Sequence, residues 1–256
     1  MKKILSVFCI MLMLLCVIGC KKEKVTITSV EDLTGKKIGV QAGTTGEGFV
    51  TENVKDARIS SFKTGMDAAL DLKNGAIDAI VLDELPAKEI VKRNPDLAIV
   101  DADLAIEEYA IAVKKGNEAL LASINNTIAA MKENGEYESL VNAFMPIDGN
   151  ITLPETISIV SNDKLKLGTN AAFPPFEYVE GDKIVGFDIE MGKRIASDAG
   201  ASLEIVDMAF DSLIPALQSG TIDFIAAGMS VNEERKQNVD FSDPYYASKQ
   251  VIIIKQ

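Results

Sequence analysis

Three features of the chain have the chemistry to hold a zwitterion. Arg235 stands in Asn232-Glu233-Glu234-Arg235-Lys236. A guanidinium matches a carboxylate with two parallel hydrogen bonds, although on its own the residue reads first as a surface Arg paired with Glu233 or Glu234. Asp83 closes an apolar run. A carboxylate there needs a cation, donors or water, so it either holds an ammonium group or caps a helix begun by Glu84-Leu85-Pro86-Ala87. The third feature is backbone: Gly43-Thr44-Thr45-Gly46-Glu47-Gly48 follows a short apolar strand. A Gly-rich turn entering a helix offers free N–H groups to an anion. No Gly-Lys-Ser/Thr follows, and Glu47 disfavours a polyanion, so a single carboxylate suits it; a flexible turn is the alternative. Phe173, in Ala172-Phe173-Pro174-Pro175-Phe176-Glu177-Tyr178, and Phe210, before the expected helix cap Asp211, are either core rings or cleft walls. The chain has no His, which excludes His triads, His-ligated zinc and imidazole acid–base catalysis.

The elements that position these residues alternate. Positions 37–40 and 76–82 read as buried strands, and 64–74 as a helix capped by Thr64 and ended by Gly75. Leu120, Leu121, Ile124, Ile128 and Met131 share one helical face; Phe187, Met191 and Ile195 share another. Such alternation predicts α/β layers with mostly parallel sheets. The stretch from Leu72 to Ile80 echoes that from Leu217 to Ile225, each reading as helix end, Gly cap and buried strand. Six residues beyond the Ile after each Gly stand Asp83 and Gly228, at strand carboxyl ends, where open α/β sheets bind ligands. Two related lobes explain the echo, as does the general likeness of such junctions. Residues 146–162, with Pro146, Gly149, Asn150 and Pro154, read as a linker.

The 256 residues suit one large domain or two modest lobes. A net charge of −12 argues against nucleic acid. Lys2 and Lys3, an apolar run to Gly19 and then Cys20 read as a secretory signal. Val17-Ile18-Gly19-Cys20 resembles the bacterial lipobox, implying lipid, palmitate included, on Cys20. Cys9 and Cys16 would leave with the signal, so the mature body would have no free thiol or disulfide.

Taken together, the motifs resemble the extracytoplasmic solute-binding proteins for polar amino acids that serve ABC importers. The resemblance rests on Leu167 to Phe176, Val185-Gly186-Phe187-Asp188, Ala227-Gly228-Met229-Ser230 with Glu234-Arg235, Phe241-Ser242-Asp243-Pro244-Tyr245-Tyr246, and Leu33 to Glu47. It implies an α/β fold of two lobes, the type II periplasmic-binding-protein plan. The order differs from the family's: the segment resembling its opening, 164–256, follows the one resembling its second half, 25–145. This resembles a circular permutation, joined through 146–163, with new ends near Gln256 and Val25. The resulting expectation is a signal at 1–19, a tether at 20–28, one lobe at 29–104 and another at 105–256. Only the crossing at 105–112 would then be covalent, and the hinge would be loosened.

The resemblance further implies that Arg235 grips a ligand α-carboxylate, helped by Thr45 and its loop amides. Asp83, the Gly228 carbonyl and Ser230 would hold the α-ammonium, with Phe173 and Phe210 as walls. Asn170, Gln41 and Leu82 would face the ligand side chain. None of these three is charged, so a neutral polar amino acid such as glutamine is preferred, with a water-bridged arginine or lysine as the alternative. The expected protein is a lipid-anchored, extracytoplasmic monomer without metal or cofactor. It closes its lobes on a ligand and presents that shape to a permease. Two rivals share the fold: a receptor presenting ligand to a membrane sensor, and a cyclohexadienyl-dehydratase-like enzyme, for which Glu84 is the candidate acid.

Overall fold

The computed structural model describes residues 26–100, 102, 104–155 and 159–256. The signal and Cys20 lie outside the described residues. The chain begins with β1 (Lys37–Gln41), α1 (Thr45–Asn53), β2 (Arg58–Phe62), α2 (Gly65–Asn74), β3 (Ala79–Asp83), α3 (Glu84–Arg93) and β4 (Leu97–Val100). It continues through β5 (Ile106–Tyr109), β6 (Ala112–Lys114), α4 (Glu118–Asn134) and α5 (Glu136–Phe144). Then come β7 (Lys164–Thr169), β8 (Ala172–Phe173), β9 (Glu177–Glu180), β10 (Lys183–Val185), α6 (Phe187–Asp198) and β11 (Ser202–Asp207). A short 3-10 turn (Phe210–Ser212) leads to α7 (Leu213–Ser219), β12 (Phe224–Ile225), α8 (Glu233–Lys236), β13 (Val239–Phe241) and β14 (Tyr246–Lys255).

Two sheets share one plan. In the first, β2-β1-β3 are parallel, β14 runs antiparallel beside β3, and β4 follows. In the second, β11-β7-β12 are parallel, β6 runs antiparallel beside β12, and β13 follows. The sequence echo sits at the same place in both. α2 ends at Gly75 and α7 at Gly220, each in the left-handed conformation. The echoed aspartates then make the same clamp. Asp78 accepts the Lys37 amide at 2.8 Å and returns its own N–H to the Lys37 carbonyl. Asp223 accepts the Lys166 amide at 2.8 Å and returns its N–H to Lys166. This clamp delays the start of β3 to Ala79, three residues after the start read from hydrophobicity.

The lobes differ from expectation at the end of the described chain. β14 pairs with β3 and β4, so residues 246–255 belong to the first lobe's sheet and 105–256 is not one uninterrupted lobe. The reason is burial: Val251, Ile252 and Ile253 are at most 1 % exposed, and burying each such side chain contributes about 1.5–3 kcal/mol. Two covalent crossings therefore connect the lobes, one between β5 and β6 and one between β13 and β14, in place of the single crossing that would loosen the hinge. β5 and β14 pair with each other alongside them. Described residues within 146–163 form no helix or strand; Lys92 holds this segment through the Gly149 carbonyl at 2.7 Å. Asp211 lies inside the 3-10 turn, where no side-chain cap bond forms.

Candidate functional site

The carboxyl ends of β3 and β12 face one another across the lobes, and the pocket between them is lined from both sides. Gln41, Thr45 and Asp83 come from the first lobe; Asn170, Phe173, Phe210, Gly228, Ser230 and Arg235 come from the second. Leu82 is the exception. Alternation along β3 turns its side chain away from Asp83, toward α2 and α3, where it packs beside Gly65 in the core.

Asp83 is 5 % exposed and occupies the N-cap position of α3 without making a side-chain cap bond. Its Oδ1 instead accepts the Tyr109 hydroxyl at 2.6 Å. Burial, and then the charge of Glu107, push its pKa up to about 7. Glu107 accepts hydrogen bonds from Ser230 Oγ and, at 3.2 Å, from Gln250 Nε2. The Ser230 hydroxyl is thus committed to Glu107.

Arg235 is 7 % exposed, which removes it from any surface pairing; Lys236 takes Glu233 instead. Its Nη1 donates to the Ser230 carbonyl at 2.7 Å, and its Nη2 donates across the cleft to the Gly43 carbonyl at 3.0 Å. Its guanidinium carbon stands 5.3 Å from the centre of the Phe210 ring, a cation–π contact. Burial lowers its pKa, but a guanidinium remains charged in any protein. With five donors and two carbonyls served, it retains N–H groups for a carboxylate.

At the mouth of α1, Thr44 and Glu47 form a capping box. The Glu47 amide donates to Thr44 Oγ1, and Glu47 Oε2 accepts the Gly43 amide at 2.8 Å. The Gly43 N–H is therefore used within the loop, leaving the amides of Thr45 and Gly46 at the helix N-terminus. Gln41 and Asn170 do not stand apart around the ligand side chain. Gln41 Nε2 donates to Asn170 Oδ1 at 2.9 Å, and Asn170 Nδ2 donates to the Met208 carbonyl.

Gly228 has φ +53, and a Cβ there would meet the Phe173 ring at 2.7 Å. Its N–H is fixed by Asp188 Oδ2 at 2.8 Å. Asp188 stands in the first turn of α6, where Gly186 allows the chain to press against Phe176: a Cβ on Gly186 would lie 2.1 Å from the Phe176 carbonyl oxygen. The same oxygen atom of Asp188 accepts the Tyr245 hydroxyl at 2.7 Å. Burial pushes Asp188 up to about 6, against the pull of these donors.

Residues 165–256 match the model of the bacterial extracellular solute-binding proteins, family 3. Over those residues the chain is similar to that family. It is 50 % identical over 93 residues to the arginine-binding extracellular protein ArtP of Bacillus subtilis, covering 36 % of each chain. It is 33 % identical over 129 residues to the ABC transporter arginine-binding protein 1 of Escherichia coli, covering 48 % of this chain and 53 % of that protein. The chain thus spans about a third to a half of these curated relatives. A solved structure of the arginine-bound form of domain 1 from TmArgBP is 44 % identical, with 36 % of this chain and 80 % of that one covered and a TM-score of 0.33.

The pocket contains one lining residue that the sequence reading passed over. Glu177, on β9, lines the pocket and is fully buried, and neither of its oxygens has a donor among the described residues. Burial, and then the charge of Asp188, push it well above the ordinary carboxylate range. A carboxyl directly after the apolar run Phe173-Pro174-Pro175-Phe176 was its sequence signal. Tyr109, Glu107 and Gln250, which orient the ligand-facing groups, carried no local signal, and Asp188 stood in a motif without a role.

Proposed function

We propose that this protein binds a free amino acid with a cationic side chain, such as arginine, between its two lobes and delivers it to an ABC importer. The observation that carries this reading is one pocket lined by Arg235 and Asp83 from opposite lobes and by Glu177 from a third direction. Arg235 and the amides of Thr45 and Gly46 take the α-carboxylate. Asp83, with the Gly228 carbonyl beside it, takes the α-ammonium. Phe173 and Phe210 flank the side chain.

Glu177 moves the preferred ligand from glutamine to a cation. The neutrality of Asn170, Gln41 and Leu82 favoured an uncharged side chain, but two of those groups bond each other and the third is in the core. A buried carboxyl lacking donors is costly, and a guanidinium supplies several. The names of the arginine-binding relatives support the same ligand. In this reading the family's two halves follow one another in exchanged order, joined through 146–163, and lipid on Cys20 tethers the protein outside the cytoplasm. A ligand touching both lobes favours the closed arrangement a permease reads, and no step requires bond-making chemistry.

Isothermal titration of the soluble body against the twenty amino acids, after unfolding and refolding to strip carried ligand, tests the proposal. Arginine is expected to bind at micromolar concentration or tighter, and Arg235→Ala and Asp83→Ala to abolish the signal. Silence across the panel from folded protein overturns it.

A further inference from the structure

Glu177 and Asp188 form a buried carboxyl pair that orienting Gly228 does not require. Both are fully buried, and the Asp188 amide donates at 2.9 Å to the carbonyl of Phe176, the residue before Glu177, so the two carboxyls are neighbours whose charges act on each other. Asp188 uses Oδ2 for the Gly228 amide and the Tyr245 hydroxyl. Its Oδ1 and both oxygens of Glu177 are buried with no donor among the described residues. Two carboxylates so placed cannot both ionise without a counter-charge; a proton between them turns one into the donor the other lacks. The pocket-facing member is Glu177.

We propose that Glu177 and Asp188 share one proton in the ligand-free site and that this proton leaves to solvent when a cationic side chain enters. The pair is then a specificity determinant with two states. With the proton on Glu177, the pocket-facing carboxyl is neutral and admits an uncharged side chain, while Asp188 keeps the negative charge. Deprotonated, Glu177 presents a carboxylate that a guanidinium neutralises. The inference rests on the cationic-ligand reading above.

The charges around the pair are compatible with this exchange. Glu177 also senses Asp83 on β3 and Asp207 on β11, both of which disfavour a second negative charge. Tyr245 is pushed above its ordinary range and serves as a donor. Arg235 lines the same pocket but is engaged by the Ser230 and Gly43 carbonyls. Burial and mutual charge raise Glu177, and burial raises Asp188 to about 6, so the pair retains a proton near neutrality.

Titration calorimetry in buffers of different ionisation enthalpy counts the protons released. Asp83 can itself release a proton to solvent when any α-ammonium binds beside it, so arginine is compared with citrulline, its neutral side-chain analogue. Arginine should release about one proton more than citrulline near pH 6.5. Glu177→Gln should remove that excess and weaken arginine at least tenfold while sparing citrulline. Asp188→Asn keeps an acceptor for Gly228 and Tyr245 and gives Glu177 a permanent donor; it should remove the excess while arginine still binds. Equal counts for the two ligands in the unmodified protein overturn the shared proton but leave the arginine reading intact. An excess that survives both substitutions overturns its assignment to this pair. Failure of both ligands to bind sinks the ligand reading and this inference with it.

Discussion

Gln41 and Asn170 join the two lobes through a side-chain hydrogen bond of 2.9 Å, formed across the pocket by residues 129 positions apart. A second bond, from Arg235 to the Gly43 carbonyl, spans the same gap. Both hold the lobes together without any ligand atom. A bond of this kind contributes about 1 kcal/mol net, roughly a fivefold shift between closed and open forms. Gln41→Ala is expected to expand the ligand-free protein in small-angle scattering and to weaken arginine by about fivefold, because closure then draws on ligand contacts alone. Identical scattering and affinity would show that the bond does not bias the hinge.

Arg235 lies against the Phe210 ring while its Nη1 and Nη2 bond carbonyls of both lobes, a multiple engagement that lysine cannot copy. Arg235→Lys should therefore lose affinity for every amino acid by roughly 10–100-fold, since charge-assisted hydrogen bonds contribute about 1.5–3 kcal/mol each. Arg235→Ala should lose more. Calorimetry on arginine and citrulline together checks this: the two must fall in parallel, as both carry the same carboxylate. Loss confined to arginine would place Arg235 elsewhere in recognition.

The buried acids fix how stability varies with pH. An unfolded aspartate titrates near about 3.9. Folded, Asp83 is pushed up to about 7 and Asp188 to about 6. Between those values the native state holds protons that the unfolded chain has released, so stability falls as pH rises, by up to ~1.4 kcal/mol per pH unit for each group. Ligand-free protein should melt highest below about pH 3.9 with respect to these groups and lose stability toward pH 7. Asp83→Asn should flatten that slope and raise the melting temperature at pH 8, while weakening amino-acid binding by at least about a hundredfold. A ligand-free stability that climbs from pH 5 to pH 7 would contradict the assignment.

The sequence carried the local devices well and the long-range ones poorly. Thr64 and Gly75 bound α2 as read, because capping chemistry acts within a few residues. The echo around Asp78 and Asp223 marked two equivalent junctions, because each aspartate clamps the backbone of its own lobe. Arg235 and Asp83 were legible as ligand candidates but not as buried partners: Tyr109 and Gly43, which hold them, stand 26 and 192 positions away. Glu177 was passed over because its meaning comes from what surrounds it, and Leu82 was misplaced because one step along a strand reverses the facing side. β14 was assigned to the wrong side of the hinge because its apolar run fits either sheet; only its register with Asp83 and Leu82 decides.

β14 also predicts how the lobes unfold. Ile252 is fully buried between Val81 of β3 and Val100 of β4, in the first lobe's core. Ile252→Ala should destabilise that core by about 2–5 kcal/mol through lost burial and the cavity left behind. The five tyrosines, Tyr109, Tyr137, Tyr178, Tyr245 and Tyr246, all lie on the hinge strands or in the second lobe, so their fluorescence reports that half of the molecule. Because β14 is continuous with the hinge and pairs with β5 there, loss of the first lobe's sheet also frees Tyr246 and its partner Tyr109. The tyrosine signal and the far-ultraviolet circular dichroism are expected to shift together to lower urea in Ile252→Ala, as one cooperative transition. A tyrosine midpoint that stays in place while the dichroism midpoint falls would mean the lobes unfold independently, with the β14 crossing acting as a tether and not as a structural bridge.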